Sequence, residues 1–226
     1  MKQLQQRQFD LLVFDWDGTL FDSTALITHC IQDACQDLGC TVPDVGQAKH
    51  VIGLGLTDAL RKAAPDLPAE LYPDLAARYR YHYFARQHEV TLYAGVPQFL
   101  QQCRDLGYML AIATGKSRRG LDEALASVKL GSLFDMTRTA DETASKPNPL
   151  MLNEVMQVLD TPKERTLMIG DTTHDLQMAV NAHVRSLAVS HGAHTPSVLC
   201  QYGYEQGMLG IVHSIADMAR WLQANG

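Results

Sequence analysis

Four short runs that are apolar at nearly every position restrict this fold more than any other feature. They are Leu11-Leu12-Val13-Phe14, Met109-Leu110-Ala111-Ile112-Ala113, Thr166-Leu167-Met168-Ile169 and Ser186-Leu187-Ala188-Val189. None shows the polar alternation of a half-exposed strand, so each reads as a strand buried on both faces, the condition a parallel sheet imposes. Met136 to Thr139 is a weaker strand candidate, and Gly210 to His213 reads as a short edge strand. Amphipathic helices lie between the runs. Val96, Phe99, Leu100 and Cys103 share one face behind Pro97; Leu121, Ala124, Leu125 and Val128 repeat the spacing, as do Leu152, Val155, Met156 and Leu159. Alternating strands and helices of this kind predict a doubly wound, mainly parallel α/β sheet with a Rossmann-like core.

The alternation breaks from Phe21 to about Tyr93, which holds helical patterns and no convincing strand. One helix starts at Ser23 as N-cap, with Leu26, Ile27, Cys30, Ile31 and Ala34 on one face. A short one follows Thr57, and a longer one spans roughly Pro68 to Gln87 with Leu71, Leu75, Tyr79 and Tyr83 in register. The expected organisation is an α/β core from residues 1–20 and 94–226, interrupted by a helical cap from residues 21–93.

Nineteen basic against twenty-five acidic residues give a net charge of −6, with no basic run beyond Arg118-Arg119, so nucleic acid and anionic membrane are poor partners. No window reaches the ~18–20 apolar residues of a membrane span. The glutamine-rich start has no apolar stretch of signal-peptide length. Cysteines 30, 35, 40, 103 and 200 form no Cys-x-x-Cys pair, and their odd number suggests neither a disulfide framework nor a zinc site. A cytoplasmic, reduced protein is expected.

Asp15 and Asp17 end the first strand, and Gly18 permits a tight turn beside them. Residues i and i+2 of a strand share a side, so both carboxylates can face one pocket at the carboxyl edge of the sheet, where α/β proteins bind ligands. A calcium loop counted from Asp15 needs Gly at position 6 and Glu at position 12; Gly18 falls at position 4 and Leu26 at position 12, which excludes it. Asp171 and Asp175 follow another buried strand, so four acidic groups converge on one edge. Such a cluster calls for a cation, and oxygen ligands favour a hard one such as Mg²⁺. Helix capping by Asp171 or Thr172 is the competing explanation.

Thr114-Gly115-Lys116-Ser117 offers a hydroxyl, a glycine and free amides at a helix start, which suits a phosphate, although the upstream glycines of a Walker loop are missing. Lys146 precedes Pro147 in a stiff loop from which its ammonium could reach a phosphate oxygen.

Asp15-Trp16-Asp17-Gly18-Thr19-Leu20, Thr114, Lys146 and Gly170-Asp171 with Asp175, in this order, closely resemble the motifs of the haloacid dehalogenase-like hydrolase superfamily. The helical insertion resembles its helical-cap subgroup, and Gly53-Leu54-Gly55-Leu56 with Thr114 to Gly120 resembles the phosphoglycolate phosphatase-like branch. The resemblance implies a Mg²⁺-dependent phosphatase acting on a small phosphorylated metabolite, with phosphoglycolate the first candidate. Asp15 is then the nucleophile that forms an aspartyl-phosphate and Asp17 the general acid and base. Asp15, the main-chain carbonyl of Asp17, and Asp171 hold the metal, with Asp175 a further ligand or a partner of one. Thr114, Gly115 and Lys146 bind phosphate. Superfamily dehalogenases and phosphonate-cleaving members lack the second aspartate, so Asp17 argues against both. Trp16, where aliphatic residues or Phe are frequent, is expected to point away from the pocket.

A sugar phosphomutase shares Asp15 and Asp17, and a silent phosphate-binding regulator could share the whole set; both stay open, as does monomer against homodimer. His174 is expected to be solvated or packed, and His191 and His194 to be loop residues near the entrance. Tyr72, Tyr79, Tyr81 and Tyr83 are expected to form cap core, while Lys49, His50 and Gly53 to Leu56 are a candidate substrate loop.

Overall fold

The computed structural model describes residues 7–203 and 206–226; residues 1–6 of the glutamine-rich start lie outside the described residues. Its strands are β1 (Leu11–Phe14), β2 (Met109–Thr114), β3 (Met136–Thr139), β4 (Thr166–Gly170), β5 (Arg185–Val189) and β6 (Met208–Val212). They form one sheet in the order β3-β2-β1-β4-β5-β6, and every pairing is parallel. The edge strand expected at Gly210 to His213 starts earlier. Met208 is buried beside Ala188 and Leu199, whereas His213 turns out to meet the Ser190 hydroxyl at 2.6 Å.

The unbroken apolar runs follow from this layering. Leu12 and Phe14 face α5 (Val96–Asp105), α6 (Arg118–Val128) and α10 (Ile215–Asn225), while Leu11 and Val13 face α7 (Leu150–Val158) and α8 (Thr173–Asn181). Successive side chains point to opposite faces and both faces are covered, so the central positions are apolar and the few polar ones, such as Thr166 and Ser186, lie at or near strand ends. The remaining core helix is α9 (Pro196–Gly203). Trp16 is fully buried in the same layer as Phe14 and stacks on Phe21 at 5.4 Å, away from the acidic residues.

Between β1 and α5 lie α1 (Thr24–Asp37), α2 (Val45–His50), α3 (Leu56–Ala63) and α4 (Tyr72–Arg86), with single 3₁₀ turns at 69–71 and 87–89. Leu26, Ile27, Cys30, Ile31 and Ala34 of α1 pack with Leu60, Leu75 and Tyr83 in a cluster separate from the sheet layers. Tyr72 and Tyr79 pack against that cluster, but Tyr81 lies on the outer face and is 66% exposed. Among the described residues no helix is long and apolar enough to cross a membrane.

The chain leaves β1 for β2 and β3 on one side and reaches β4 on the other, so the carboxyl ends of β1 and β4 bound a topological switch point. Phe14 is in register with Ile112 and Ile169, which brings the residues just beyond these three strands to one place.

Candidate active site

Asp15 leaves the end of β1, held there by its amide on the Ile169 carbonyl at 2.9 Å. It is fully buried, and no donor is aligned on either carboxylate oxygen, although the Lys146 ammonium lies 2.7 Å from Oδ1. Burial pushes its carboxyl well above the usual range; Lys146 opposes this, while Asp175 and Asp171 reinforce it.

Asp171 follows β4 and is also fully buried. Thr19 Oγ1 donates to its Oδ1 at 2.8 Å and the Ala193 amide to its Oδ2 at 2.7 Å. Burial and the Asp175 charge push it up to about 7 despite these donors. Asp175, in the first turn of α8, accepts from the Thr172 amide and hydroxyl on Oδ2 and from Lys146 Nζ on Oδ1 at 2.7 Å. Thr172 and Asp175 thus form a capping box, so the capping explanation holds for this pair but leaves Asp171 unused by the helix. Lys146, 2% exposed, joins Asp15 to Asp175. Burial alone would depress its pKa, yet the two carboxylates outweigh it and hold the ammonium charged.

Oxygens of Asp15, Asp171 and Asp175 lie within 4.8 Å of one another. One ammonium cannot balance three buried carboxylates, and burial together with their mutual repulsion favours the neutral forms of Asp15 and Asp171. With an all-oxygen donor set and two Asp15 oxygens lacking aligned donors, these residues fit a hard divalent cation such as Mg²⁺.

Asp17 does not join this trio through its side chain. The chain turns after Asp15, with Leu20 and Phe21 amides on the Trp16 carbonyl, so strand alternation no longer governs its direction. Its carboxylate faces the same cavity but accepts from Lys116 Nζ at 3.0 Å on both oxygens and from Ser23 Oγ at 2.7 Å. Ser23 stands at the expected N-cap position of α1, yet its hydroxyl serves Asp17 and makes no cap bond.

Thr114 ends β2 fully buried, its Oγ1 accepting from the Lys116 amide at 3.2 Å. At Gly115 an added Cβ would lie 2.3 Å from the Leu54 carbonyl oxygen, so only glycine lets the loop from the helical insert press this close. Asp15, Asp17, Thr114, Gly115 and the Gly53 to Leu56 stretch line one cavity of about 310 Å³; Lys49 and His50 do not line it.

Gly192 closes the back of the site. A Cβ there would lie 2.2 Å from Asp171 Oδ2 and 2.4 Å from the Gly18 carbonyl oxygen. Gly192→Ala is expected to displace Asp171 and cost about 1–3 kcal/mol, the usual penalty of overpacking, visible as a lower denaturant midpoint. An unchanged midpoint would show that this loop is not seated on Asp171.

The histidines divide. His174, 8% exposed, and His194, 5% exposed, both bond through Nε2 to the His50 carbonyl, at 2.8 and 3.2 Å, tying α2 to the core. The Thr173 amide donates to His194 Nδ1 at 3.0 Å, so that ring is the neutral Nε2–H tautomer. Burial depresses both rings, His174 to about 4. His191 reaches the Thr19 carbonyl and packs on Tyr93 at 4.3 Å.

Lys116 and Tyr83 join the site although their local sequence does not mark them as site residues. Lys116 also donates to Tyr83 Oη at 2.9 Å, linking α4 to Asp17 through one ammonium. Its only signal was its place between Gly115 and a helix start.

A parallel sheet whose switch point carries a buried carboxylate centre fit for a hard cation, roofed by inserted helices, defines a class of α/β hydrolases. The chain belongs to the haloacid dehalogenase-like hydrolase family, whose model it matches over residues 12–189. It is 34% identical over 191 residues to a phosphoglycolate phosphatase of Aliivibrio fischeri, covering 80% of this chain and 84% of that one. It is 30% identical over 186 residues to the pyrophosphatase PpaX of Halalkalibacterium halodurans, covering 81% and 85% respectively. Among solved structures, a hydrolase from Pseudomonas syringae superposes with a TM-score of 0.85 at 20% identity, over 95% of this chain and 98% of that one. That last likeness bears on the fold alone.

Proposed function

We propose that this chain is a Mg²⁺-dependent phosphatase that hydrolyses small phosphomonoesters through an aspartyl-phosphate on Asp15. The observation that carries the reading is Asp15 itself: buried at the switch point, open to the cavity and without an aligned donor on either oxygen. Residues 21–93 act as a cap over a core of residues 1–20 and 94–226, excluding bulk water during reaction. A cytoplasmic location fits five free thiols. Phosphoglycolate and pyrophosphate, the compounds in the relatives' names, are the first two to assay.

In the first step an Asp15 oxygen attacks phosphorus as the ester P–O bond breaks, and Asp17 gives a proton to the leaving oxygen. In the second, Asp17 takes a proton from water, whose oxygen attacks phosphorus and frees Asp15 and inorganic phosphate. Lys146, Thr114 and the Gly115 amide hold the phosphoryl oxygens and offset their charge. Asp15, Asp171 and the main-chain carbonyl of Asp17 would hold Mg²⁺, with Asp175 orienting Lys146 and available as a further ligand. Bound there, the ion would neutralise the carboxylates and polarise the phosphoryl group.

Turnover of p-nitrophenyl phosphate is expected to vanish with EDTA and return with Mg²⁺. The metal must displace the Asp171 proton below about 7, so the half-saturating Mg²⁺ concentration is expected to rise as pH falls below that value. Metal-independent turnover would overturn the assignment.

A further inference from the structure

The cavity over Asp15 and Asp17 has room for more than a phosphoryl group, and its far wall selects what else can enter. At about 310 Å³ it lies at the lower edge of pockets that enclose drug-sized ligands. Beyond the carboxylates one side of the wall is apolar, built from Ile27 and Ile31 of α1, Leu54, Leu56 at the start of α3, and Tyr79 and Phe84 of α4, while Thr57 and Ser117 add hydroxyls. Ile27, Ile31 and Leu54 are buried, and Tyr79 stacks on Tyr83 at 6.0 Å, so this surface is fixed by packing.

The charges of the cavity point the same way. An ammonium has three N–H donors, and those of Lys116 go to the two Asp17 oxygens and to Tyr83 Oη. None is left for a second anion on a substrate. At the rim, Arg80 is outnumbered by Asp58 and Asp141. A leaving group carrying its own carboxylate or phosphate would face an apolar wall, an acidic rim and an occupied lysine, and a desolvated charge without a partner is costly.

Resting on the phosphatase activity proposed for this site, we propose that its preferred substrates are phosphomonoesters whose leaving group is a neutral, apolar body the size of a short alkyl chain or a single ring. Leaving groups with a second anion are disfavoured. This ranks phosphoglycolate and pyrophosphate below a neutral ester with a larger apolar group, the reverse of the order suggested by the relatives' names.

The test compares kcat/KM for ethyl, hexyl and 2-phenylethyl phosphate with that for phosphoglycolate and pyrophosphate, all with Mg²⁺. Hexyl and phenylethyl phosphate are expected to exceed ethyl phosphate at least about tenfold, since methylenes in an apolar pocket discriminate by such factors, and to exceed both anionic compounds. Calorimetric titration of Asp15→Asn with the same esters should give the same order of affinity without chemistry. The exposed Phe84, replaced by alanine at little risk to the fold, is expected to narrow the hexyl-to-ethyl ratio several-fold. Phosphoglycolate or pyrophosphate equal to or better than hexyl phosphate, or an unchanged ratio in Phe84→Ala, would overturn the proposal while leaving the phosphatase intact. No turnover of any ester would overturn the phosphatase reading and the preference with it.

Discussion

Asp15→Asn is expected to abolish phosphoester turnover, by at least about 10⁴-fold, the scale seen when a covalent nucleophile is removed. An amide of the same shape keeps the packing at the end of β1 but offers no nucleophilic oxygen. The fold should survive. Burial and two neighbouring carboxylates already push the Asp15 carboxyl upward, so losing its charge relieves repulsion in the metal-free protein. Lys146 keeps Asp175 as its partner at 2.7 Å. Melting of the variant should therefore match or exceed that of the parent, and inorganic phosphate or vanadate should still bind. Substantial residual turnover would mean that the nucleophile lies elsewhere.

Lys146→Met is expected to have the largest effect on stability. Its ammonium is the one cation in ion-pair contact with Asp15 and Asp175 among the described residues, and all three side chains are inaccessible to solvent or nearly so. Removing one partner of such a buried set leaves uncompensated charge and costs about 3–5 kcal/mol. For a chain of 226 residues each kcal/mol shifts Tm by about 2–4 °C, so a fall of roughly 6–20 °C is expected by calorimetry. Added Mg²⁺ should recover part of it by supplying positive charge to the same carboxylates. The pH trend has a definite sign. The folded Asp171 carboxyl is raised from 3.8 to about 7, so the folded state binds more protons than the unfolded chain between those values. The metal-free variant should regain stability as pH falls from 7 towards 4. A variant as stable as the parent at neutral pH would show that Lys146 does not compensate these carboxylates.

The sheet was legible because burial on both faces leaves a direct trace: Leu11 to Phe14 and Leu167 to Ile169 have no polar position because none faces water. The edge strand β6 starts two residues before its apolar pattern suggests because it is only partly buried, and its start depends on Met208 packing with Leu199 and Ala188. Helix α2 leaves little trace in the sequence since six residues carry little periodicity, although the Asp44 and Gln47 capping box that starts it is visible there.

Two of the acidic trio were legible from strand ends, since Asp15 and Asp171 each follow a buried run, and Asp175 lies in the first turn of the helix that comes next. What the sequence could not give was direction. Asp17 and Ser23 each suited a role of their own, a shared strand side and a helix cap, but the turn between them brings them to each other. Lys116 stands in the sequence only as part of the Thr114 to Ser117 stretch, and its link to Asp17 emerges when α4 is laid over it with Tyr83, a contact spanning 33 residues. His174 and His194 likewise become informative only when the His50 carbonyl arrives from α2.

Asp15 as phosphoryl acceptor is tested most directly by acid-quenching turnover and locating the phosphoryl group by peptide mass spectrometry, in the parent and in Asp17→Asn. Loss of the Asp17 base slows water attack, so the covalent species should accumulate in that variant when a good leaving group such as p-nitrophenolate makes its formation independent of the acid. A phosphoryl group on Asp15 and on no other residue is the expected result. Phosphorylation of a different side chain, or a p-nitrophenol burst from Asp17→Asn with Asp15 unmodified, would contradict it.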